Sequence, residues 1–420
     1  MAKKLLVITY YYPPLGGVGV QRVTKLCKYL PEFGWEPVVI APQPSAFYMA
    51  DPEMIDEVKD IELHRVAGFD SFRFREKLVG PLKPRVDSPL RWIAERFSWP
   101  DTQTGFIGQA FHEASRLASK AKAVFVTAPP WSNMFTGQLI KRVANLPLII
   151  DMRDPWAGHP QHGKARWKRA LNKRAEKRIL EGADVIIGVT REHIRNLLSR
   201  YPELAPRINY IPNGFDSDDF EEGTKSRIRR KKGQFVISYA GILGLEHINR
   251  GTTLYSAIRR LRDEEGLTPA KLKVEIMGEI SKMEEERIRR SGVSSFIERL
   301  GHLPHQETMH RLQKSDLLWL PYRAEYSDLI VPAKTYEYIG SGTPILATVS
   351  PEHETASLIR ETGTGCVARE GDIEGVFRAL KLLLEGVFPY NPQREVIARF
   401  ERRAHARKLA RILDEYTANV

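Results

Sequence analysis

The sequence is poor in cysteine, with only Cys27 and Cys366 in 420 residues. These two residues lie far apart and belong to no CxxC pair or zinc-type spacing, which excludes a small disulfide scaffold and argues against a cysteine metal cluster. A chain without a disulfide framework is typical of a reducing compartment. We therefore expect a cytoplasmic protein with two packed or incidental thiols.

Long hydrophobic runs are also absent. No segment approaches the roughly 18 consecutive apolar residues of a membrane span. The opening segment MAKKLLVITYYYPPLGG pairs two lysines with a short apolar run, but Pro13, Pro14 and Gly16 follow without a small-residue cleavage site. This segment predicts a first buried strand rather than a signal peptide.

Acidic residues are outnumbered by basic ones. The chain has 64 Lys and Arg against 52 Asp and Glu, which gives a formal net charge of +12. Such an excess predicts an anionic partner: a phosphorylated ligand, a nucleic acid or an acidic membrane surface. Charge alone does not distinguish among these three.

The chain does contain a regular alternation of short apolar runs and longer amphipathic stretches. The runs are 5–10, 37–42, 123–128, 147–152, 184–189 and 208–213 and, after a polar basic stretch, 235–241, 272–278, 317–322, 344–349 and 365–369. This alternation is typical of parallel strands joined by crossover helices. It predicts an α/β protein with two Rossmann-like, doubly wound parallel-sheet domains, 1–215 and 216–395, followed by a helix over 396–420.

Two segments stand outside this alternation. Region 66–105 mixes proline, glycine, arginine and aromatic residues without a clean period, which predicts a long excursion from the first domain. The terminal stretch is strongly helical, and it is either a cap on its own domain or a strap that returns to the first one.

A cluster of glycines follows the first predicted strand. Gly16, Gly17 and Gly19 lie between this strand and an amphipathic helix, where close backbone approach and unpaired helix N–H groups can bind an anion. The spacing is neither GxGxxG nor a P-loop, so it disfavours a dinucleotide or a Walker-type site. A tight turn that binds no ligand remains the alternative.

The second motif is PAKTYEYIGSGTPILA at 332–347. Lys334 and Glu337 fall on a short helix that leads to a buried strand, and a solvent-exposed i, i+3 ion pair is the simplest reading. Aromatic residues flank the glutamate, however, so this is not a polar face. A carboxylate in such a place can accept hydrogen bonds from both hydroxyls of a ribose.

Taken together, five motifs resemble those of a known family: the glycine-rich loop, RDPW, IPNGFD, YAGILG followed by Arg250 and Gly251, and PAKTYEYIGSGTPIL. They occur in the order seen in GT-B-fold retaining glycosyltransferases of family four, the group 1 type. The resemblance implies two Rossmann-like domains that face a cleft. It also implies a nucleoside diphosphate (NDP) sugar on the second domain, an acceptor on the first, and no required metal or other cofactor.

The resemblance assigns a role to one carboxylate. Glu337 matches the second glutamate of the family's Glu-x7-Glu motif, which binds the nucleotide ribose. The first glutamate falls at Leu329, so that half of the motif is missing, and we take the neighbouring Asp328 as a candidate substitute.

The diphosphate contacts of the family are also incomplete here. Arg250 occupies the place of the family's phosphate-binding lysine, while Ile242 stands where its arginine belongs, next to Gly241 of the YAGILG motif. We take Lys334 as the candidate second cation at the diphosphate. The surface salt bridge with Glu337 remains the alternative for this lysine.

In the first domain, the segment DMRDPW follows a strand at which many relatives carry a catalytic-site histidine. Its residues Arg153 and Asp154 are candidates to contact the donor sugar or the acceptor, and a helix cap with a buried ion pair is the alternative. Trp131 and Ser132, at the end of the preceding strand, are candidates to shape the acceptor pocket.

Metal binding and nucleic-acid binding are both disfavoured. The histidines show no metal-type spacing, and His302, His305 and His310 surround a proline without forming a ligand face. The DSDDF segment at 216–220 is better read as a polar loop than as a DxD metal motif. No nucleic-acid-binding module accompanies the basic charge.

A basic amphipathic helix is predicted over 164–178. It has eight cations and one acid, with Trp167, Leu171, Ala175 and Ile179 at helical spacing. Together with Trp92, Trp99 and the basic 73–96 region, it favours attachment to an anionic membrane surface, as expected for a lipid-linked acceptor. A solvated helix face is the alternative.

These observations predict a glycosyltransferase that moves a sugar from an NDP-sugar to a hydroxyl of a lipid-linked or cell-surface glycan. Two alternatives remain open: an NDP-sugar epimerase, which needs acid/base carboxylates, and a noncatalytic nucleotide- or glycan-binding protein. Fold alone does not choose among them.

Overall fold

The computed structural model describes residues 3–44, 53–67, 98–158, 166–221, 233–245, 248–323 and 328–418. The chain divides into two compact units. The first unit comprises residues 1–213 and 402–420, and the second comprises residues 214–401.

The first unit is built on a parallel sheet of seven strands in the order β3-β2-β1-β4-β5-β6-β7. The strands are β1 Lys3–Ile8, β2 Trp35–Pro42, β3 Glu62–Val66, β4 Ala123–Ala128, β5 Leu148–Met152, β6 Val185–Gly188 and β7 Ile208–Tyr210. Side chains alternate between two buried clusters, with Leu6 and Ile8 in one and Leu5 and Val7 in the other. Both faces of the sheet are therefore covered, as in doubly wound folds.

Helices connect these strands. They are α1 Val18–Tyr29, α2 Glu53–Asp56, α3 Phe106–Leu117, α4 Ser132–Ala144, α5 Arg166–Glu181 and α6 Arg191–Arg200. Because the strands are parallel and the connections cross over, the loops that follow β1, β4 and β5 share one edge of the sheet. This edge carries the first-domain candidate residues.

The second unit repeats the architecture with six parallel strands in the order β10-β9-β8-β11-β12-β13. The strands are β8 Phe235–Ala240, β9 Leu272–Met277, β10 Ile297–Gly301, β11 Leu317–Pro321, β12 Ile345–Thr348 and β13 Gly365–Ala368. The helices are α7 Thr252–Glu265, α8 Lys282–Ser291, α9 His305–Lys314, α10 Lys334–Ser341, α11 Glu354–Thr362, α12 Ile373–Leu384 and α13 Arg394–Ile397.

The last helix, α14 Arg402–Thr417, belongs to the first unit. Its buried side chains, among them Leu409 and Leu413, join the same cluster as those of α1. Asp414 accepts hydrogen bonds from Lys3 Nζ at 2.7 Å and from Trp35 Nε1 at 3.0 Å. The terminal helix thus packs on the unit in which the chain begins.

The predicted α/β class with two doubly wound parallel sheets is confirmed, and each predicted strand lies within three residues of an observed one at either end. Two strands, β3 and β10, were not predicted. Both lie at sheet edges and carry charged residues, so they lack the apolar run that marks a central strand. Trp92, the basic 73–96 region and most of the predicted excursion lie outside the described residues.

Candidate functional site

In the first unit, the glycine loop leads directly into α1. Gly17 is the residue before the helix and has φ +97°, a conformation that favours glycine, and no described side chain caps this helix end. A Cβ at Gly17 would meet no other atom within 4 Å. Gly16 and Gly19 are half-buried. The first-turn N–H groups of a helix left uncapped in this way are suited to an anion.

Arg153 fastens this loop to the end of β5. Its Nη1 donates to the carbonyl oxygen of Gly19 at 2.5 Å, and its Nη2 donates to the carbonyl oxygen of Pro129. A Cβ on Gly19 would lie 2.8 Å from Nη1, so the absence of a side chain there makes room for the guanidinium. Burial lowers the pKa of Arg153, and the neighbouring Asp154 and Asp151 oppose that shift. Arg153 thus connects two loops within its own unit, and Asp154 lies half-buried beside it.

A buried ion pair, which no sequence motif indicated, lies beneath this edge of the first unit's sheet. Arg22 Nη2 on α1 is 2.7 Å from Asp151 Oδ1, and both side chains are almost fully buried. Thr127 also donates to Asp151, at 3.1 Å, and Arg22 donates to the backbone carbonyls of Ile211 and Pro212. A buried pair completed by further hydrogen bonds fixes α1 against β4, β5 and the end of the first unit's sheet.

Trp131 belongs to a row of aromatic side chains at the ends of β4 and β5. Its ring stacks on Trp156 with centroids 5.9 Å apart and an interplanar angle of 10°. Phe135 packs edge-on against Trp156, and Trp99 packs edge-on against Phe135. Trp131 is half-buried, whereas Trp156 is fully buried, so Trp131 is the member of the stacked pair with exposed surface.

Ser132 lies in the interior rather than on a pocket surface. It is fully buried, and its backbone N–H donates to Asp101 Oδ2 at 2.8 Å. Asp101 also accepts from the backbone N–H of Gln103 at 3.0 Å. Burial raises the pKa of Asp101, while the hydrogen bonds from Ser132 and Gln103 oppose the shift. In this geometry Ser132 serves to anchor the first turn of α4.

In the second unit, Lys334 and Gly241 come together at the end of β8. Gly241 has φ +120°, and a Cβ there would lie 2.6 Å from Lys334 Nζ. Lys334 is the first residue of α10, and its Nζ donates to the hydroxyl of Tyr239 at 2.8 Å. The same ammonium lies 4.1 Å from the centroid of the Tyr239 ring. The sequence placed these residues in separate motifs, and the fold joins them.

The loop that follows Gly241 is organised by one buried amide. Asn249 Oδ1 accepts from the backbone N–H groups of Gly244 at 2.8 Å and Leu245 at 3.1 Å. Its Nδ2 donates to the Tyr239 hydroxyl and to the carbonyl oxygen of Ile242, each at 2.9 Å. Asn249 therefore holds the loop around the Tyr239 hydroxyl, a role for which the sequence gave no motif.

Lys334 is a half-buried cation that has no carboxylate partner among the described residues. Burial lowers its pKa to about 8, and Glu337 opposes that shift from one turn further along α10. In the part of the chain that the structure describes, Lys334 makes no ion pair, so the alternative of a Lys334–Glu337 salt bridge is wrong. A buried, uncompensated ammonium is stabilised by an incoming anion.

Glu337 is half-buried on the same helix. Within the described ranges, its carboxylate has no hydrogen-bond or ion-pair partner. The next residue, Tyr338, is fully buried, and its hydroxyl accepts from the backbone N–H of Ala240 at 2.8 Å, which ties α10 to the end of β8. Glu337 thus lies on an element that is fixed to the Gly241 loop.

Arg250 lies two residues before the start of α7. It is half-buried and is followed by Gly251, whose backbone N–H donates to Glu284 Oε1 at 2.7 Å. Glu284 is itself buried and accepts from Tyr255 at 2.9 Å and from Arg287 at 2.8 Å. This network fixes the backbone next to Arg250. No contact between Arg250 and Lys334 is part of it.

Three further positions bear on the family's donor-binding motifs: Ile242 and Leu329, which replace polar residues of the family, and Asp328, the candidate substitute. Ile242 is 46% exposed on the loop after Gly241. Asp328 is exposed and Leu329 is half-buried, shortly before α10. Asp328 does not share a contact with Glu337 or Lys334 among those that the structure gives.

Metal-type motifs form ordinary polar contacts. The segment 216–220 folds as a capped turn, with Asp216 accepting from the backbone N–H of Asp218 at 3.1 Å. His305 Nε2 lies 3.3 Å from Asp219 Oδ2, and His310 Nε2 lies 3.2 Å from Glu221 Oε1. Among the described residues, no group of three or more His, Cys, Asp or Glu side chains is arranged to hold a metal ion.

Helix α5 corresponds to the predicted basic helix, and its apolar stripe is buried only toward its carboxyl end. Ile179 is buried and Ala175 is half-buried, whereas Trp167 and Leu171 are 48% and 40% exposed. Lys168 donates to the carbonyl oxygen of Ser98 at 3.0 Å. None of the helices described is long and apolar enough to cross a membrane.

Comparison with known proteins follows this division into units. Residues 16–214 match the Glycosyl transferase 4-like domain family, and residues 234–386 match the Glycosyl transferases group 1 family. No curated protein sequence matches the chain significantly.

Three solved structures are similar over nearly their whole length. Sucrose-phosphate synthase from Thermosynechococcus elongatus is 15% identical, with coverage of 100% of both chains and a TM-score of 0.65. Anabaena Alr3699/HepE in complex with UDP-glucose is 14% identical, with 98% of this chain and 99% of that one covered and a TM-score of 0.63. The lipopolysaccharide outer core galactosyltransferase WaaB in its apo form is 13% identical, with 97% and 99% covered and a TM-score of 0.60. At such low identities the similarity shows the fold alone, and it confirms the predicted GT-B class.

Proposed function

Because the chain belongs to the group 1 glycosyltransferases of the GT-B fold, we propose that it is a retaining enzyme that uses an NDP-sugar donor. The acceptor in this proposal is a hydroxyl of a lipid-linked or cell-surface glycan. The observation that carries the donor half is the pairing of Lys334 with Gly241 at the carboxyl end of β8. Ligands of open parallel sheets bind at the carboxyl ends of the strands.

The second unit supplies suitable groups for such a donor. Lys334 is a desolvated cation that attracts the diphosphate, and Arg250 is the candidate second cation on the neighbouring loop. Glu337 has a half-buried carboxylate without a partner among the described residues. This carboxylate is suited to accept hydrogen bonds from both ribose hydroxyls. Asp328 remains the candidate contact for the donor sugar.

The chemical step proposed here follows the family's retaining reaction. The acceptor hydroxyl attacks the anomeric carbon from the face of the departing diphosphate, the bond to the diphosphate oxygen breaks, and that oxygen takes the hydroxyl proton. Negative charge grows on the diphosphate, so Lys334 and Arg250 stabilise the transition state more than the ground state. The proposal includes no metal ion, because these cations take the charge.

For the first unit we propose acceptor binding at the carboxyl ends of β4 and β5. The half-exposed Trp131 supports this, since an indole face packs well against the apolar face of a sugar ring. Arg153 holds the glycine loop to the same edge, with Asp154 beside it. In this proposal Gly16, Gly17 and Gly19 present backbone N–H groups, and Arg153 positions them.

A transfer assay tests the reaction. The purified protein is incubated with each common nucleotide sugar, with and without a crude lipid extract, and NDP release is measured along with the anomeric configuration of any product. A transferase releases NDP only with acceptor and retains the configuration. Activity that survives a chelator supports the metal-free reaction, and loss of activity with restoration by a divalent cation contradicts it.

The same assay separates the alternatives. An NDP-sugar epimerase converts the donor sugar without releasing NDP, and it needs acid/base carboxylates at the sugar. A noncatalytic binding protein does neither. Either of these outcomes would overturn the proposed transfer reaction.

We further propose that α5 docks the protein on the cytoplasmic face of an anionic membrane, where a lipid-linked acceptor is found. Trp167 and Leu171 are exposed on this helix. Four exposed cations of α5 have no acidic partner within the described ranges: Arg169, Lys173, Arg174 and Arg178. An exposed face that combines cations with tryptophan and leucine fits the headgroup region of an acidic bilayer.

A further inference from the structure

The hydroxyl of Tyr239 is at the centre of the donor-side network. It accepts from Lys334 Nζ at 2.8 Å and from Asn249 Nδ2 at 2.9 Å, and it donates to the carbonyl oxygen of Ile242 at 2.8 Å. A phenol has one proton to donate and two lone pairs. Since an ammonium and an amide NH2 only donate, these three bonds use the whole capacity of the hydroxyl and fix the direction of its proton.

Tyr239 itself is fully buried in β8, and burial raises its pKa well above the ordinary value for tyrosine. The phenol of Tyr239 is therefore neutral, and it does not act as a counter-ion to Lys334. Its oxygen and the face of its ring both contact the ammonium of Lys334, by a hydrogen bond and by a cation–π contact at 4.1 Å from the ring centroid. Neither contact neutralises the charge, so the ammonium stays available to an anion.

The surrounding elements make room for the ammonium and bring few charges to it. Gly241 has no side chain where a Cβ would lie 2.6 Å from Lys334 Nζ. Among the described residues, the titratable groups that act on Lys334 are Tyr239 from β8 and Glu337 from its own helix. From the loop after Gly241 come the amide of Asn249 and the carbonyl of Ile242, which carry no charge.

We propose that Tyr239 is a positioning residue that holds the half-buried ammonium of Lys334, which has no counter-ion among the described residues, at the place where it binds the diphosphate of the donor. This inference rests on the proposed function and gives a role to Tyr239, the first residue of the YAGILG motif, to which the sequence analysis assigned none. In the free protein the contacts with Tyr239 already replace part of the hydration of the ammonium, so an arriving diphosphate gains the charge interaction at a lower reorganisation cost.

Proton linkage follows from this geometry. Lys334 must be protonated to bind an anion, and its pKa is about 8. Affinity for a nucleoside diphosphate is therefore full below that value and falls by up to about tenfold per pH unit above it. Binding in turn raises the pKa of Lys334, because an anion favours the charged form.

The experiment measures nucleoside diphosphate affinity by calorimetry from about pH 7.5 to about pH 10, where the phosphates of the ligand no longer titrate. The probe is the tightest binder among UDP, GDP, ADP, CDP and dTDP. We expect a midpoint near 8 in the wild type and no such midpoint in Lys334→Met. In Tyr239→Phe the ammonium leaves its buried position for solvent, so affinity near neutral pH falls by about tenfold and the midpoint rises toward the ordinary lysine value.

Tyr201→Phe is the matched control, since it removes the hydroxyl of a buried tyrosine in the first unit that binds Glu176 and not Lys334. Its midpoint is expected to equal that of the wild type. An unchanged or lower midpoint in Tyr239→Phe would show that Lys334 stays in place without the hydroxyl, and it would overturn this inference while leaving the proposed function intact. Failure of the wild type to bind any of the five probes would overturn both.

A second measurement covers the case in which Tyr239→Phe does not fold. With 13C-labelled lysine, the ε-methylene signal of Lys334 in the wild type, assigned by comparison with Lys334→Arg, should be shifted upfield by the Tyr239 ring. An unshifted signal would overturn the positioning role without any change to Tyr239.

Discussion

Arg153 and Gly19 are joined by a hydrogen bond of 2.5 Å, in which guanidinium Nη1 donates to the glycine carbonyl. Nη2 of the same side chain binds the carbonyl of Pro129. The planar guanidinium binds the two carbonyls through two separate nitrogens in a fixed fork, whereas a lysine has to reach both carbonyls from a single nitrogen. One residue after β5 thus holds together the loops that follow β1 and β4.

For Arg153→Lys we expect the loss of at least one of these bonds. Hydrogen bonds that involve a charged group contribute about 1.5–3 kcal/mol each, so the free energy of unfolding should fall by about that amount. Transfer activity should also fall, because the glycine loop is no longer fixed. Denaturant unfolding and the transfer assay measure the two effects.

Arg116→Lys is the control for this change, since Arg116 is exposed on α3 and pairs only with Glu113 one turn away. It should leave both quantities unchanged. Gly19→Ala places a Cβ 2.8 Å from Nη1 and should perturb the same contact from the other side. If Arg153→Lys is as stable and active as the wild type, the fastening role is wrong.

Most strands of both sheets were predictable from sequence, whereas the contacts at the site were not. Leu5 to Ile8 form a buried run because β1 is central and covered on both faces. In β3, by contrast, Glu62 and Leu63 are exposed at the sheet edge, and no apolar run marks the strand. Apolar patterning reports burial, so it identifies the strands that are buried on both sides.

Lys334 shows why the site itself was harder to predict. Helical spacing pairs it with Glu337, but the fold brings its ammonium to Tyr239, a residue 95 positions earlier. Ser132 was also hard to place from sequence. Its position after a strand favoured the surface of a pocket, whereas in the structure it is fully buried and its N–H binds Asp101. Both outcomes depend on packing between distant segments, which local spacing does not report.

Glu337→Gln should weaken NDP binding and reduce turnover while the fold stays intact. The carboxylate is half-buried and has no partner among the described residues that its loss would leave unsatisfied. Two hydrogen bonds to ribose hydroxyls, at about 1.5–3 kcal/mol each when the acceptor is charged, predict at least a tenfold loss of affinity. Calorimetry with an NDP and thermal unfolding measure the two properties.

Glu385→Gln, on an exposed residue beyond α12, is the control and should bind NDP like the wild type. Equal NDP affinity in Glu337→Gln and the wild type would refute the ribose assignment.

Arg250→Ala and Lys334→Ala should each lower kcat by a larger factor than they raise the donor KM. Charge on the diphosphate grows in the transition state, so attraction by these cations is realised mostly there. Steady-state kinetics with the donor varied measures this. Effects confined to KM in both variants would mean that the two cations bind the ground state and transition state equally, which contradicts a catalytic role.

The stability of the first unit should depend on pH through His193. This residue is fully buried on α6, and burial with the nearby Arg200 lowers its pKa to about 3. The unfolded chain binds a proton near pH 6.5 while the folded chain does not. The free energy of unfolding is therefore unaffected by this group above about pH 6.5 and falls by up to about 1.4 kcal/mol per pH unit below it.

Denaturant unfolding of His193→Leu at several pH values checks this contribution. Neither ring nitrogen of His193 has a hydrogen-bond partner in the structure, so the apolar variant should be tolerated and should lose stability less steeply than the wild type as pH falls. His112→Gln, on an exposed residue of α3, is the control and should follow the wild type. Parallel curves for His193→Leu and the wild type would show that His193 does not carry the effect.

Helix α5 should bind anionic vesicles through its exposed face. Each cation near an acidic bilayer contributes up to about 1 kcal/mol, and Trp167 and Leu171 add shallow insertion. Binding should weaken with salt, because the Debye length falls from about 10 Å at 0.1 M to about 3 Å at 1 M. Cosedimentation with vesicles of phosphatidylcholine and phosphatidylglycerol measures it.

The test variant replaces four cations of α5 that have no acidic partner among the described residues: Arg169, Lys173, Arg174 and Arg178, each with glutamine. The control makes the same change in charge on exposed residues of the second unit: Lys282, Arg289, Arg290 and Arg378 to glutamine. If α5 is the docking surface, only the α5 variant should lose vesicle binding. A general effect of net charge would instead weaken binding of both variants equally. Trp167→Ser should weaken binding without changing its dependence on salt, because it removes insertion and keeps every charge. If the two four-residue variants bind alike, or if binding ignores salt and lipid charge, the exposed face of α5 is a solvated surface and not a docking site.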